Sequence, residues 1–184
     1  LSLDNQHFFV YSSKQQVPLL IVEATAPRAN QSVFLHNALG LSRKPSFRVE
    51  RMAITALKPE DLKSWAVIIM NDVSMPTGVL ADALANFVAA GGGLLVATGA
   101  AVQQNWPTAL LPGNPGPEIE AKQATVYNMT DFESDHPLSI NLGVRNTIDL
   151  SLARVFKYRE LQPGADDRVV ARYNDGGAAL LQRQ

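Results

Sequence analysis

Continuous apolar runs, separated by amphipathic segments, set the pattern of this chain. Residues 17–23 (VPLLIVE) and 66–71 (AVIIMN) are apolar almost throughout, as strands covered on both faces must be. We therefore predict a central strand in each run. Residues 94–97 (LLVA) predict a third central strand, and the imperfect alternation of residues 47–54 predicts a strand near a sheet edge.

Helical periodicity fills the intervals between these runs. From Pro76 to Ala90 the apolar residues recur at spacings of one and four, which is typical of an amphipathic helix, and a glycine triplet, residues 91–93, follows as a stop signal. Further helices are predicted over residues 30–39 and 58–65, and over 101–111 with an end near Pro107.

Strands that alternate with helices at this spacing predict right-handed crossovers and a parallel sheet covered on both faces. We therefore predict a three-layer α/β/α sandwich with a mostly parallel, flavodoxin-like sheet. Residues 112–117 (PGNPGP) contain too many helix and strand breakers for regular structure. Short strand-like runs follow them, and residues 174–177 (NDGG) form a hairpin signal, so the C-terminal third should be rich in strands.

Composition narrows the range of functions. A chain of 184 residues with 46% hydrophobic residues is expected to form one domain. Its net charge of −1, with no block of like charge, gives no electrostatic footprint for nucleic acid. Because it contains no cysteine, a disulfide, a thiolate zinc site and a cysteine nucleophile are all excluded. No apolar run reaches the roughly 20 residues that cross a bilayer.

Motifs for metal and nucleotide binding are missing as well. The three histidines form neither an HxH nor an HExxH pattern, and neither GxGxxG nor GxxxxGK[ST] accompanies the glycine triplet. We therefore expect neither a metal nor a cofactor.

Ligands of open α/β sheets bind outside the carboxyl ends of the strands, so the loops 23–28, 71–75 and 98–101 should converge on one crevice. Asn71 and Asp72, which end a central strand, have two interpretations: their amide and carboxylate hold a metal or polarise a substrate, or Asp72 (or Ser74) caps the next helix. The candidate crevice residues are Glu23, Asn71, Asp72, Thr98, Gly99, Ala100 and His136.

The turn Thr98-Gly99-Ala100 lies where an enzyme of this layout would present its nucleophile. A threonine hydroxyl there needs a neighbouring base. His136 is the best candidate for that base, although a histidine before proline in the acidic loop 131–136 is also typical of a turn residue bonded to backbone.

The segments VPLLIVE, AVIIMND, FVAAGGGLLVATG, DHPL and VVARYNDGGAALLQR resemble the class I glutamine amidotransferase-like superfamily over nearly the whole chain. Within it the chain resembles the amidotransferase-like domain of bacterial BatA-type membrane proteins, and also trehalose-utilisation (ThuA)-like domains. Active relatives carry a cysteine in the turn and a later His-x-Glu. This chain has Thr98-Gly99-Ala100 and His136-Pro137-Leu138 instead.

The resemblance therefore implies a non-catalytic binding or interaction domain rather than an enzyme. It implies one domain over residues 1–184, excised from a longer membrane-anchored protein, with residues 1–13 as the tail of a preceding β-sandwich and a glycine-rich strand after Gln184. The implied location is the cell envelope, on its extracytoplasmic side. The expected partners are neighbouring domains and other envelope proteins, with membrane contact only through segments outside this sequence.

A second function remains open. The resemblance to ThuA-like domains also implies a carbohydrate-related enzyme or a small-molecule-binding domain, which would use Asp72, Thr98 and His136 around the strand ends.

Overall fold

Strands and helices alternate through the first half of the chain, and strands dominate the second. The computed structural model describes residues 16–24, 32–40, 45–102, 106–122, 125–137 and 152–183. The elements of the first half are β1 (Val17–Glu23), α1 (Val33–Gly40), β2 (Phe47–Ala53), two 3-10 helices (Ile54–Ala56 and Pro59–Ser64), β3 (Val67–Asn71), α2 (Val79–Ala89) and β4 (Gly93–Ala97). The second half contains β5 (Asn114–Glu120), β6 (Met129–Phe132), β7 (Lys157–Gln162), β8 (Arg168–Tyr173) and β9 (Ala178–Gln182).

Four parallel strands form the central sheet in the order β2-β1-β3-β4. One face of the sheet packs against Leu35 and Leu39 of α1. The other face packs against α2, whose Leu84 is fully buried. Burial on both sides explains why β1 and β3 are apolar almost throughout, and it confirms the predicted α/β class with its helix, sheet and helix layers.

The position of β4 differs from the prediction. We predicted a third central strand, but β4 lies at the edge of the four-stranded sheet, and its Leu95 is 46% exposed. An apolar run shows that a strand is buried by something, but it does not show that a hydrogen-bonded neighbour lies on each side. The other edge strand is β2, as its alternating pattern predicted.

The described part of the C-terminal third is rich in strands, as predicted, and these strands are antiparallel. They form a two-stranded sheet, β5-β7, and a three-stranded sheet, β6-β8-β9. The hairpin between β8 and β9 is closed by a hydrogen bond from the Tyr173 N–H to the Gly177 carbonyl at 2.8 Å. Asp175 stabilises the turn by accepting the Gly177 N–H at 3.0 Å.

Two predictions for the middle of the chain were wrong. The breaker-rich residues 112–117 include the start of β5. Its Pro115 and Pro117 are tolerated because, among the described strands, β5 pairs only with β7, and the register shifts between Pro115 and Glu118. The helix predicted over 101–111 is absent from its described residues, 101–102 and 106–111, which form turns and bends. The proposed tail at residues 1–13 lies outside the described residues.

The glycine triplet ends α2 by a Schellman motif. The Gly91 N–H bonds the Val88 carbonyl and the Gly92 N–H bonds the Phe87 carbonyl, each at 2.9 Å. Gly91 adopts φ 94, a left-handed conformation that favours glycine. Gly92 has a different role, because a Cβ placed there would lie 2.3 Å from the Phe87 ring. The predicted stop signal is thus a helix cap followed by a close contact, and the chain then enters β4.

Alanine at Gly92 should destabilise the protein more than alanine at Gly91. Gly92→Ala overpacks the Phe87 ring, which we expect to cost about 1–3 kcal/mol. Gly91→Ala meets no atom within 4 Å and should cost about 1 kcal/mol for its left-handed backbone. Urea unfolding of both variants checks the order, and equal losses would show that the Phe87 ring moves aside freely.

Candidate functional site

The carboxyl ends of β1, β3 and β4 lie side by side at one edge of the sheet. Val22 pairs with Met70, and Asn71 pairs with Ala97, so Glu23, Asn71 and Thr98 follow one another across adjacent strands. This edge is where ligands of open α/β sheets bind. The topology therefore brings six of the seven candidate residues, all except His136, to one edge.

Glu23 forms an ion pair with Arg51. Its side chain is only 5% exposed and accepts two hydrogen bonds from Arg51 of β2, from Nε at 3.1 Å and from Nη2 at 3.0 Å. A bidentate pair of this kind compensates the carboxylate for its burial. Glu23 thus fixes β1 to β2, and its charge is neutralised within the sheet.

Asp72 ties the loop after β3 to the turn after β4. Its Oδ1 accepts the Ala101 N–H at 2.8 Å, and its own N–H bonds the Ala97 carbonyl at 2.9 Å. A Cβ on Gly99 would lie 2.4 Å from the Asp72 carboxyl carbon, so the missing side chain of Gly99 makes room for this carboxylate. Asp72 itself adopts φ 49, a left-handed backbone that aspartate tolerates better than most residues.

The capping interpretation of Asp72 and Ser74 is wrong. Gly78, not Asp72 or Ser74, is the N-cap residue of α2, and it makes no side-chain capping hydrogen bond. Both side chains reach Ala101 instead: Asp72 accepts its N–H, and the Ser74 hydroxyl donates to its carbonyl at 2.9 Å. Two short polar side chains after one strand therefore hold the turn after the next.

Arg159 of β7 holds the same turn from the other side. Its guanidinium donates from Nε to the Gly99 carbonyl and from Nη1 to the Gly116 carbonyl, each at 2.9 Å, and its side chain is only 12% exposed. Nη2 also lies 3.6 Å from the Glu118 carboxylate. Sequence reasoning did not identify this residue, because an arginine in the polar run KYRELQ resembles a solvated strand face.

An ion pair flanks Arg159. Lys157 Nζ lies 2.7 Å from Glu118, and this hydrogen bond lowers the pKa of the Glu118 carboxyl and raises the pKa of the Lys157 ammonium. Glu118 thus stays ionised beside the half-buried guanidinium of Arg159.

His136 lies at the opposite end of β4. Its ring is bonded through Nε2 to the Gln182 side chain and lines a cavity with Gly92 and Gly93, where β4 begins. Thr98 follows the end of that strand, five residues after Gly93, so roughly 16 Å of chain separates the two positions. The structure therefore does not place the His136 imidazole beside the Thr98 hydroxyl. The His136 N–H bonds the Glu133 carbonyl at 3.2 Å, which agrees with the turn interpretation.

Within the described part of the chain, no three histidine, aspartate or glutamate side chains gather into a group that could hold a metal ion. The absence of a metal and of a cofactor stays a prediction.

Two replacements of Asp72 separate its charge from its hydrogen bond. Asp72→Asn keeps an acceptor for the Ala101 N–H and tolerates the left-handed backbone, so we expect a loss below about 1 kcal/mol. Asp72→Ala removes the acceptor and strains the backbone, and should cost about 2 kcal/mol. Thermal and urea unfolding distinguish the two, and equal losses would assign the effect to charge.

Together the fold and the crevice define an α/β domain whose strand-end turn is held by side-chain hydrogen bonds. No protein-family model matches the chain. No curated protein matches it either. Solved structures share its fold. The cytoplasmic protein STM1381 from Salmonella typhimurium LT2 is 16% identical, with a TM-score of 0.65 over 90% of this chain and 82% of that one.

Two further solved structures have a similar fold. A protein from Bacteroides uniformis ATCC 8492 that is described as ThuA-like is 18% identical, with a TM-score of 0.58 over 90% of this chain and 71% of that one. The cytoplasmic protein STM3548 from Salmonella typhimurium is 16% identical, with a TM-score of 0.62 over 88% of this chain and 80% of that one. At these identities the likeness establishes the fold, which this chain shares with a ThuA-like protein.

These structures contradict the predicted location. We inferred a domain of the cell envelope from the resemblance to BatA-type proteins, but two proteins with this fold are described as cytoplasmic. The fold is therefore no marker of the envelope. In the described ranges, no helix is long and apolar enough to cross a membrane.

Proposed function

We propose that this chain is a non-catalytic binding domain built on a ThuA-like fold, and a degenerate relative of the class I glutamine amidotransferase-like domains. The observation that carries the proposal is that backbone groups of the turn after β4 are already hydrogen-bonded to side chains. The Ala101 N–H is bonded to Asp72 and the Gly99 carbonyl to Arg159. A turn that stabilises an oxyanion must keep its N–H groups directed at the substrate, and here one of them is already bound.

The proposal is also supported by the residues that the turn offers as a nucleophile. The chain has no cysteine, and the Thr98 hydroxyl would need a proton acceptor within hydrogen-bond reach. Asp72 uses Oδ1 for Ala101, and the His136 ring lies near the start of β4. The proposed role is therefore to bind neighbouring domains or proteins through a rigid surface, without reaction.

Incubation of the purified protein with glutamine and with p-nitrophenyl acetate tests this proposal. We expect product to form no faster than in buffer, with the same result for Thr98→Ala, while a known glutaminase and a known esterase verify the two assays. Turnover by the parent protein that disappears in a correctly folded Thr98→Ala variant would refute the non-catalytic role.

A small-molecule crevice is the second candidate function. The observation that favours it is the left-handed backbone of Asp72, because strained non-glycine residues cluster at ligand sites. The ThuA-like fold supports a carbohydrate-related ligand. Thermal unfolding with a panel of mono- and disaccharides tests it: this candidate predicts a sugar that raises the Tm of the parent protein but not of Asp72→Asn. If no sugar changes either Tm, the second candidate fails.

A further inference from the structure

The hairpin between β8 and β9 has an Asp-Gly pair at its tip. Tyr173 closes the loop, since its carbonyl accepts the Gly176 N–H at 2.9 Å and its N–H bonds the Gly177 carbonyl at 2.8 Å. Gly176 adopts φ 90, the left-handed position of a three-residue hairpin loop. Asn174, Asp175 and Gly176 are all exposed, so water reaches this part of the hairpin.

An aspartate that precedes a glycine is chemically reactive. The backbone nitrogen of the glycine can attack the side-chain carboxyl carbon of the aspartate, because glycine has no side chain to obstruct the approach. A nitrogen–carbon bond forms, the carboxyl OH leaves with the amide proton as water, and a cyclic succinimide results. Water then reopens the ring. When it attacks the main-chain carbonyl, the product is isoaspartate, whose backbone contains an additional CH₂ group.

The folded hairpin holds both reacting groups in other hydrogen bonds. The attacking nitrogen, that of Gly176, donates its proton to the Tyr173 carbonyl. The Asp175 carboxylate accepts the Gly177 N–H through Oδ1 at 3.0 Å and the Tyr158 hydroxyl through Oδ2 at 2.6 Å. The nitrogen must lose its proton and the carboxyl must lose an oxygen, so the reaction requires these hydrogen bonds to open.

Tyr158 of β7 is held in position by its neighbours. The centroid of its ring lies 4.2 Å from that of Tyr173 and 5.1 Å, edge to face, from that of Tyr127. A Cβ on Gly177 would lie 2.6 Å from the Tyr158 hydroxyl oxygen, so the missing side chain of Gly177 makes room for this hydroxyl. Burial and the hydrogen bond to Asp175 raise the pKa of Tyr158, so the hydroxyl keeps its proton at neutral pH.

We propose that Asp175 is a site of isoaspartate formation and that Tyr158 restrains the reaction by holding the Asp175 carboxylate. Isomerisation lengthens the backbone at the tip of the hairpin and transfers the free carboxylate to the Cα atom. The hydrogen bonds from Gly177 and Tyr158 then lose their acceptor in its present position, and the tip separates from β7. This inference is independent of whether the turn after β4 is catalytic.

Incubation of the 184-residue chain at neutral pH and physiological temperature tests the proposal. Trypsin cleaves after Arg172 and Arg183 and releases residues 173–183, in which aspartate and isoaspartate have equal mass but different chromatographic retention. We expect isoaspartate to accumulate slowly in the parent protein and about five- to tenfold faster in Tyr158→Phe, which lacks the hydroxyl. Tyr127→Phe removes a hydroxyl from the ring packed against Tyr158 and is the matched control, so its rate should lie within about twofold of the parent rate.

Two further variants and the unfolded chain complete the test. Gly177→Ala places a methyl group where the Tyr158 hydroxyl lies and should also accelerate the reaction. Asp175→Glu should give no isomerised product, because its longer side chain must close a larger ring. Circular dichroism confirms that each variant has folded. In urea, which removes the restraint, the parent chain should react faster than in its folded state.

Three results overturn the proposal. The first is an absence of isoaspartate from both the folded and the urea-unfolded chain, or equal rates in these two states. The second is a rate in folded Tyr158→Phe and Gly177→Ala equal to that of the parent protein. The third is a product of raised mass alone, which assigns the change to deamidation of Asn174.

Discussion

Replacement of Asp167 by asparagine should lower the free energy of unfolding by about 3 kcal/mol at neutral pH. The Asp167 side chain is fully buried, and its Oδ2 accepts the N–H groups of Gly113 at 2.6 Å and Gly164 at 2.7 Å. Its Oδ1 accepts Nε of Arg183 at 2.8 Å. Asparagine keeps one acceptor oxygen and presents an NH₂ group to the other donors, so buried donors lose their partner.

The pH dependence of stability shows whether the ionised carboxylate of Asp167 causes this loss. Burial alone raises the pKa of Asp167, but the hydrogen bonds from the two glycine amides and from Arg183 outweigh it, so the pKa lies below its ordinary value. A carboxyl whose pKa is lower in the folded than in the unfolded protein stabilises the fold. This stabilisation is complete above the pKa of the unfolded state, about 4, and is lost as the pH falls through the pKa of the folded state.

The parent protein should therefore lose this contribution in acid, and Asp167→Asn should lose less stability there. Urea unfolding at pH 3, 4 and 7 measures the difference. Asp166→Asn, at the exposed neighbouring position, is the matched control and should behave like the parent protein. If the gap between Asp167→Asn and the parent stays constant from pH 7 to pH 3, the ionised carboxylate is not its source.

Replacement of Arg159 by alanine should cost about 3 kcal/mol, because it leaves the Gly99 and Gly116 carbonyls without their donor. Arg159→Lys keeps the charge but cannot reach both carbonyls in the same planar geometry, so we expect an intermediate loss. Faster hydrogen exchange at the Ala101 amide should accompany the loss, since only the hydrogen bonds of Asp72 and Ser74 to Ala101 then hold the turn among the described residues.

Arg168→Ala is the control for this experiment. Arg168 forms a surface ion pair with Glu133 and is 44% exposed, so its loss should cost less than about 1 kcal/mol. Urea unfolding compares the three variants. If Arg159→Ala is no more harmful than Arg168→Ala, the hydrogen bonds to the two carbonyls contribute nothing to stability.

Local pattern was sufficient to predict β1, β3 and α2, because the two strands are buried over most of their length and the helix has one clear apolar stripe. It failed for β4 and β5. The edge position of β4 depends on which strands bond to it, and β5 tolerates its prolines because it has one hydrogen-bonded neighbour in the part of the chain that the structure describes. Both facts belong to the tertiary structure, and no short window of sequence contains them.

The candidate site, like the fold, could be predicted only in part from the sequence. Parallel topology alone placed Asp72 beside Gly99, since the ends of β3 and β4 must meet at one edge. The ends of strands do not reveal where His136 lies, because its position follows from its contact with Gln182 of β9. Arg159 lies 60 residues from the carbonyl that it holds, and its neighbours in sequence are polar. Only the pairing of β5 with β7 makes its role visible.

The guanidinium of Arg159 has a mechanical consequence. One rigid planar group joins the antiparallel half of the domain to the parallel half, and it does so at the turn that lines the crevice. A protein that tilts β7 away from the crevice must therefore break the hydrogen bond from Arg159 to the Gly99 carbonyl or move the turn with it. Force applied to β7 would in this way reach the turn after β4 through the Arg159 side chain.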